Sequence, residues 1–250
     1  MSRTIRVLVN GAKGRMGREA VRAVEEADDL DLAGATDIDD DLAGAVRTSR
    51  AAVVVDFTRP ADALANFRTA MGAGARVVSG TTGFTPGDIE AAEGLVRRTG
   101  LGGAVVPNFA LGAVLAVRFA REAARHFPSV EIIERHHEGK ADAPSGTALL
   151  AAGEIAAAKG ARSRGAVKSD PPGSRGADAG GVRIHAVRLA GLVANLEIAF
   201  GGPGETLVIR HDTTDRSCFM PGVLLAVRVV ARSKKFFHGL EGILDAAPKR

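Results

Sequence analysis

Two histidines and a lysine precede a predicted helix start near the middle of the chain. The order is His136, His137 and Lys140, followed by the sequence PSGT at 144–147. Histidine titrates near neutral pH and lysine carries a transferable proton, so these side chains suit proton transfer. The first N–H groups of a helix have no partners within the helix and attract anions. This stretch therefore predicts a site that binds an anionic substrate and exchanges protons with it.

Each of these residues also has an ordinary structural interpretation. Ser145 can simply cap the helix, and many helices begin in this way. Adjacent histidines are commonly structural, and on a strand His136 and His137 would face opposite sides, so we do not expect both to do the same job. Because all these residues lie within one bend, we favour the substrate site.

The scarcity of lysine draws attention to Lys140. The chain has 33 lysines and arginines, of which only seven are lysines, and Lys140 is the only one between Lys13 and Lys159. An ammonium group can give up a proton, whereas a guanidinium group stays protonated. We therefore interpret Lys140 as a proton donor rather than as a solvated surface lysine.

A second motif, near the N-terminus, is typical of dinucleotide binding. Residues 7–17 read VLVNGAKGRMG, which predicts a strand, a glycine turn and a helix start. Gly11 permits the tight turn, Gly14 lets the backbone approach a pyrophosphate, and Gly17 allows the helix to pack closely on the strand. The spacing is GxxGxxG because Ala12 replaces a glycine of the usual pattern. A glycine turn that binds no ligand remains the alternative.

Asp37 bears on the choice of dinucleotide. It follows the predicted second strand, twenty positions after Gly17, where an acid would bind the adenosine ribose. The alternative is a turn residue within the sequence TDIDDD. A carboxylate repels a 2′-phosphate, so Asp37 favours NADH, while Lys13 and Arg15 could reach a 2′-phosphate and keep NADPH open.

The order of predicted elements divides the chain into two domains. Strand-like and helix-like segments alternate over the first hundred residues, which predicts an α/β domain with helices on both faces of a parallel sheet. Strands are predicted at 5–9, 30–35, 51–57, 76–79 and 103–106, with helices at 16–24, 60–71 and 86–98. Beyond them, strands at 129–137, 182–189, 193–200 and 205–212 accompany helices at 111–126, 145–159 and 221–231. Strands in series predict an antiparallel or mixed sheet, and residues 160–181 a mobile surface loop.

Composition excludes several classes of protein. The chain is 46% hydrophobic and 25% charged, which excludes wholesale disorder. Ten Phe with no Trp or Tyr leave too few rings for a surface that stacks single-stranded nucleic acid. A net charge of +4 over 250 residues is a weak field, so we expect neither a nucleic-acid nor a membrane partner. The single cysteine, Cys218, and the lack of a long apolar stretch predict a cytoplasmic protein.

Motifs along nearly the whole chain resemble those of dihydrodipicolinate reductases. In order, they are the glycine turn at 11–17, DFT at 56–58, GTTGF at 80–84, PNF at 107–109 and ERHHEGKADAPSGT at 134–147. The sequence KxDAPSGTA after a His-His pair is highly specific. Gly139 and Asn195-Leu196 depart from the usual pattern of that family.

The resemblance implies a fold and an activity. The fold is α/β, with a Rossmann-type parallel-sheet domain formed by residues 1–108 and 217–250. An α+β domain with a mixed sheet, residues 109–216, is inserted for substrate binding and tetramerisation. The activity is the NADH- or NADPH-dependent reduction of 4-hydroxy-2,3,4,5-tetrahydrodipicolinate, a small cyclic dicarboxylate, to tetrahydrodipicolinate with loss of water. This step belongs to the diaminopimelate route of lysine biosynthesis, and the implied assembly is a homotetramer.

The resemblance also implies roles for the matching residues. His136 resembles the family's proton donor or acceptor, and Lys140 its proton donor. The residues that match the substrate-carboxylate site are His137, Ser145, Gly146 and Thr147. The residues that match the cofactor contacts are Gly11, Ala12, Lys13, Gly14, Arg15, Met16, Asp37, Gly80, Thr81, Thr82, Val106, Pro107, Asn108 and Phe109. No metal ligand is implied.

Two other functions remain as alternatives. A related dehydrogenase of amino-acid metabolism would share the two-domain plan but lack the KxDAPSGTA sequence. A catalytically weak NAD(P)-binding sensor would keep the glycine turn but tend to lose His136 or Lys140, and both are present.

Overall fold

Short runs of valine form the centre of the first sheet. The sequences VLV at 7–9, VVV at 53–55 and VV at 77–78 are buried, as expected for parallel strands that are covered on both faces. The computed structural model describes residues 4–160 and 173–248. The chain divides into two compact units, Met1–Leu111 with Phe219–Arg250, and Gly112–Cys218.

Within its described residues, 4–111 and 219–248, the first unit contains six strands and six helices, labelled in chain order. Its strands are β1 (Ile5–Asn10), β2 (Leu30–Thr36), β3 (Val53–Asp56), β4 (Arg76–Ser79), β5 (Gly103–Val105) and β11 (Phe236–His238). Its helices are α1 (Arg15–Glu25), α2 (Leu42–Ser49), α3 (Ala63–Gly72), α4 (Pro86–Thr99), α7 (Met220–Arg232) and α8 (Glu241–Ala246). All neighbouring strands pair in parallel, in the order β11-β5-β4-β3-β1-β2.

Two layers of helices cover this sheet. Leu8, Val54 and Val77 face α2, α3 and α4, where they pack with Phe67 and Val96. Because side chains alternate along a strand, the neighbouring valines face the opposite side, where α1 and α7 contact each other. The predicted parallel sheet with helices on both faces is confirmed. The sequence patterns did not reveal α2, β11 and α8, which have only eight, three and six residues.

The second unit is built around a mixed sheet. Its elements are α5 (Leu111–Ala123), β6 (Ser129–His136), α6 (Gly146–Lys159), β7 (Ala177–Ala179), β8 (Val182–Arg188), β9 (Ala194–Gly202) and β10 (Glu205–Thr213), and a 3₁₀ turn at Arg216–Phe219 follows. The strand order is β10-β9-β6-β8-β7, with β6 and β8 parallel and the other pairs antiparallel. The predicted mixed sheet of an α+β unit is therefore confirmed.

One face of the mixed sheet packs against α5 and α6. The apolar side chains Val130, Ile132, Ile184 and Ile198 form a core there with the alanines of the two helices. Most of the loop predicted at 160–181 lies outside the described residues, and Ala177–Ala179 forms the edge strand β7. No helix within 4–160 or 173–248 is long and apolar enough to cross a membrane.

Candidate functional site

The glycine turn after β1 has the geometry that the sequence predicted for it. Gly11 has φ +81°, and a Cβ at this residue would lie 2.6 Å from the carbonyl oxygen of Phe57. A Cβ at Gly17 would overlap the carbonyl oxygen of Gly11, so both positions need glycine. Helix α1 begins after Gly14, and no described side chain caps it. Its first N–H groups therefore remain available to an anion such as a phosphate.

A cleft of about 450 Å³ opens beside this turn. Gly11, Gly14, Asp37, Phe57 and Thr58 are among the residues that line it. This volume lies in the range of small-molecule sites, roughly 300–1,000 Å³. The glycine turn, the uncapped helix and the acid at the end of β2 suit the pyrophosphate and ribose of a dinucleotide, so the residues fit this cofactor.

Asp37 lies at the rim of the cleft and is held there by backbone amides. Its carboxylate accepts hydrogen bonds from the amides of Lys13 at 2.8 Å and Ile38 at 2.9 Å. These bonds, first that of Ile38 and then that of Lys13, lower the pKa of Asp37, so it is charged at neutral pH. Lys13 and Arg15 are exposed on the turn itself.

The predicted cofactor residues after β4 and β5 lie together, but several of their side chains are already engaged. The Thr81 hydroxyl donates to Asp56 at 3.0 Å, and the Asn108 side-chain oxygen accepts the Ala110 amide at 2.9 Å. The Phe109 ring is buried edge-on against Phe57, with centroids 5.8 Å apart. At these positions the backbone, rather than the side chain, is the group that can meet a ligand.

The packing at Gly80 explains why glycine stands there. A Cβ at Gly80 would overlap the Phe57 ring and lie 2.8 Å from the Phe109 ring. Val106 is buried and its amide donates to the carbonyl of Ser79 at 2.8 Å, while Thr82 is exposed. These contacts fix the turns that end β4 and β5.

Asp56 is a central residue of this unit to which the sequence analysis gave no role. It ends β3, is 1% exposed, and accepts hydrogen bonds from Asn10 at 2.7 Å, Thr58 at 3.1 Å, Thr81 at 3.0 Å and Asn66 at 3.4 Å. Burial raises the pKa of its carboxyl group although these hydrogen bonds oppose the shift. The position at the carboxyl end of a buried strand was the available signal, because ligands of open α/β sheets collect there.

In the second unit, the buried face of the sheet carries a cluster of polar side chains formed by Glu134, His136 and Arg188. Glu134 is fully buried in line with Val130 and Ile132, and His136 follows two residues later on the same face. The register places His136 opposite Arg188 of β8. The Glu134 carboxylate accepts from His136 Nδ1 at 2.5 Å and from both terminal nitrogens of Arg188 at 2.9 Å.

The charges of this cluster follow from its hydrogen bonds. Burial alone would raise the pKa of Glu134, but the bonds from Arg188, His136 and the Ser145 amide outweigh it, and the pKa lies below its usual value. Burial lowers the pKa of His136, assisted by the charges of Lys140 and Arg188 and opposed by Glu134. At neutral pH the cluster therefore holds an ionised Glu134 and a largely neutral His136.

Lys140 lies on the turn that follows β6, and its amide donates to the His137 carbonyl at 3.2 Å. Its ammonium donates to both carboxylate oxygens of Asp142, at 2.7 and 2.9 Å. This pairing lowers the pKa of Asp142. The Lys140 side chain is 22% exposed, so solvent or a substrate can reach it. His137 lies just beyond the end of the strand, and its ring is near Gly139.

Helix α6 begins where the sequence predicted an anion site. Ser145 caps it, since its hydroxyl accepts the Ala148 amide at 3.3 Å, and its own amide donates to Glu134 at 3.1 Å. Gly146 is exposed, and a Cβ there would meet no atom within 4 Å. Thr147 is partly exposed on the same first turn. The capping role weighed for Ser145 is thus present, and Gly146 leaves room for an anion.

Glu134 and Arg188 are the residues that sequence reasoning missed in this unit. Glu134 lies within the motif at 134–147 but has no role assigned from the sequence, and Arg188 lies outside the sequence motifs. One local signal pointed to Glu134. It is a charged residue of a predicted strand, at a position that should face the core. The partner of Glu134 is 54 residues away in sequence, so the pair depends on the strand register.

Cys218 and metal chemistry contribute no further candidate. Burial raises the pKa of the Cys218 thiol, and a protonated thiol is a poor nucleophile. Over the described ranges, no group of three or more His, Cys, Asp or Glu side chains could hold a metal ion.

Comparison with known proteins gives consistent matches over nearly the whole chain. Residues 5–109 match the family model described as dihydrodipicolinate reductase, N-terminus, and residues 112–244 match the corresponding C-terminus model. The 4-hydroxy-tetrahydrodipicolinate reductases of Nocardia farcinica and Moorella thermoacetica are 49% and 44% identical to the chain. They cover 97% and 98% of it, and the matches span 99% and 100% of those proteins. The structure of dipicolinate-bound dihydrodipicolinate reductase from Paenisporosarcina sp. TG-14 superimposes with a TM-score of 0.88 at 36% identity, covering 96% of this chain and 99% of that one.

Proposed function

The chain belongs to the dihydrodipicolinate reductase family, and we propose that it reduces 4-hydroxy-tetrahydrodipicolinate to tetrahydrodipicolinate with NADH or NADPH, releasing water. This is an oxidoreductase step of diaminopimelate and lysine biosynthesis. The observation that carries the proposal is the segment 134–147. It joins a buried imidazole, an accessible ammonium group and an open helix start within fourteen residues.

The second unit would bind the dicarboxylate and handle the protons. The first turn of α6 at Gly146 and Thr147 suits one carboxylate of the substrate, because helix N-termini favour anions. Ser145 orders this turn through its cap, and His137 lies beside it. Lys140 can exchange its contact with Asp142 for one with the substrate and donate a proton as the 4-hydroxyl leaves. His136, with one ring nitrogen held by Glu134, donates or accepts a proton through the other.

The first unit would hold the cofactor. When bound, the reduced nicotinamide supplies the hydride that reduces C4 of the substrate. The N–H groups of Arg15 and Met16 at the start of α1 suit the pyrophosphate, because the amides of residues 11–14 already donate to the carbonyl of Thr36, within the turn or to Asp37. The charged Asp37 suits the ribose hydroxyls of NADH. Lys13 and Arg15 are the cations near the turn that suit a 2′-phosphate, so we expect NADH to be preferred and NADPH to be accepted.

We further propose that the protein is a cytoplasmic homotetramer that associates through its mixed sheet. The face of this sheet opposite α5 and α6 has the exposed side chains Val187 and Val208 together with polar residues. Light scattering on the purified chain should give four times the 25.8 kDa of one chain. A monomer at micromolar concentration would refute the tetramer without bearing on the reaction.

A coupled assay tests the reaction. Pyruvate, aspartate semialdehyde and the upstream synthase would generate the substrate in place, and oxidation of NADH and of NADPH would be followed separately. We expect oxidation that depends on the synthase, and its loss in a His136→Asn variant. Lys234→Arg, an exchange on an exposed lysine, serves as the control. No oxidation of either nucleotide by the folded protein would leave the nucleotide-binding sensor as the better description.

A further inference from the structure

Glu134 is saturated with hydrogen bonds although it has no contact with solvent. One carboxylate oxygen accepts from His136 Nδ1 and Arg188 Nη1, and the other accepts from Arg188 Nη2 and the Ser145 amide. Four bonds fill the acceptor sites of a carboxylate. One side chain in the core of the second unit thus connects β6, β8 and the start of α6.

This arrangement fixes the proton on the His136 ring. A carboxylate held ionised by Arg188 can only accept hydrogen bonds, so the contact at 2.5 Å requires a proton on Nδ1 of His136. The other ring nitrogen, Nε2, is then the one that gains or loses a proton when the ring acts on a substrate. The contact also restrains the ring, whose side chain is only 13% exposed.

Arg188 extends the same control to the turn that carries Lys140. Both terminal nitrogens of its guanidinium donate to Glu134. The guanidinium also donates to the carbonyl of Lys140 at 3.3 Å and to that of Asp142 at 2.5 Å. These are the two residues whose side chains pair with each other. A planar group with five donors can satisfy all these acceptors at once, and lysine cannot replace it.

We propose that Glu134 and Arg188 are positioning residues of the reductase: Glu134 fixes the tautomer and orientation of His136, and Arg188 holds Glu134 and the Lys140 turn in register. This inference rests on the proposed function of His136 and Lys140. Stability alone is a weak reason for such a pair, because a buried ion pair contributes little compared with apolar residues of similar size. The contacts are directed instead at the two groups proposed to transfer protons.

Glu134→Gln tests the first half of the proposal in the full-length protein. The amide keeps the size of the side chain but has one acceptor oxygen where the carboxylate has two. It cannot accept from His136, Arg188 and Ser145 together, so the contact with Nδ1 is no longer fixed. General acid–base catalysis contributes roughly 10²–10⁴-fold, and we expect kcat to fall by about 100-fold while KM for NADH is unchanged. The matched control is Glu131→Gln on the same strand, because Glu131 also accepts from one arginine and one histidine but is not buried.

A spectroscopic measurement separates positioning from a general structural effect. Nitrogen-15 NMR of the imidazoles, with His136 assigned by its loss in His136→Asn, should show the Nδ1–H tautomer in the wild type and in Glu131→Gln. Glu134→Gln should show a mixture of tautomers. This readout needs no substrate, so it stands even if the coupled assay shows that the reaction is a different one. An unchanged tautomer in a folded Glu134→Gln protein, or wild-type kcat, would overturn the proposal.

Arg188→Lys tests the second half and covers the case in which Glu134→Gln does not fold. Lysine keeps the charge next to Glu134 but not the fork that also reaches the two carbonyl groups. We expect the His136 tautomer to persist while kcat falls about 10-fold, because a misplacement of about 1 Å costs up to about 100-fold in rate. Arg183→Lys on the same strand, where Arg183 approaches Asp178 at 3.7 Å, should leave kcat unchanged. Equal kcat values in the two lysine variants would refute the role of Arg188.

Discussion

Replacing Asp56 by asparagine should leave the protein as stable as before, although Asp56 is buried and has four side-chain partners. Its donors are two amides and two hydroxyls, from Asn10, Asn66, Thr58 and Thr81. In Asp56→Asn the remaining oxygen can still accept from Asn10, and the new NH₂ group can donate to the threonine hydroxyls, which also accept. No buried group is then left without a partner.

The size of the stability change follows from comparing Asp56→Asn with the truncation Asp56→Ala. In Asp56→Ala the buried donors of Asn10 and Thr81 lose their acceptor, and each unsatisfied buried group costs about 1–3 kcal/mol. We therefore expect Asp56→Ala to lose about 2–6 kcal/mol of unfolding free energy. Asp56→Asn should stay within about 1 kcal/mol of the wild type near pH 7 or exceed it, since it removes a charge that burial disfavours.

The pH dependence gives the sharper test. Burial raises the pKa of Asp56 above its ordinary value of 3.8, so between 3.8 and the raised folded pKa the native state binds more protons than the unfolded state. The contribution of Asp56 to stability therefore falls as pH rises through this window, and its full cost is present above it. Asparagine has no such dependence, so the stability of Asp56→Asn relative to wild type should increase with pH and then level off.

Urea unfolding at a series of pH values from 3.5 to 8 measures this difference, with exposed Asp39→Asn as the control. A loss of more than about 2 kcal/mol in Asp56→Asn at neutral pH would refute the reasoning, because it would mean that the charge itself is needed. A difference from wild type that does not change with pH would show that burial does not govern this carboxyl group.

Three further predictions concern the two sites. Lys140→Arg should keep KM within a few-fold but lower kcat by about 10–100-fold, because arginine keeps the charge and does not release a proton; wild-type turnover in stopped-flow assays would remove the proton-donor role. Asp37→Asn should raise the ratio of kcat/KM for NADPH to that for NADH by about tenfold, through loss of one repulsive charge, and an unchanged ratio would contradict the ribose contact. Gly17→Ala should abolish NADH binding in calorimetry, since its Cβ would overlap the carbonyl of Gly11; unchanged affinity would show that the turn adapts.

Sequence patterns were sufficient where a physical signal is local. The valine runs, the glycine turn and the change from alternating elements to strands in series predicted the parallel and the mixed sheet. The six-residue helix α8 and the three-residue strand β11 carry too few residues for a periodic pattern; β11 pairs with β5, and α8 packs against α7. The sequence predicted the candidate site in the second unit as far as its residues lie together in the motif at 134–147. Arg188 was not, because only the pairing of β6 with β8 brings it to Glu134.

The two buried carboxylates illustrate why burial alone does not define the role of an acid. Asp56 and Glu134 both lie in the core near the end of a strand, yet the pKa is raised at Asp56 and lowered at Glu134. The difference is the partner: neutral amides and hydroxyls surround Asp56, whereas a guanidinium with two parallel donors faces Glu134. A neutral amide can therefore replace Asp56, while the same exchange at Glu134 removes the counter-charge of the Arg188 guanidinium, whose side chain is 19% exposed. Breaking a buried ion pair costs about 3–5 kcal/mol, and the partial exposure of Arg188 reduces this cost. We therefore expect the same acid-to-amide exchange to be tolerated at Asp56 and to be destabilising at Glu134, because the hydrogen-bond partners differ.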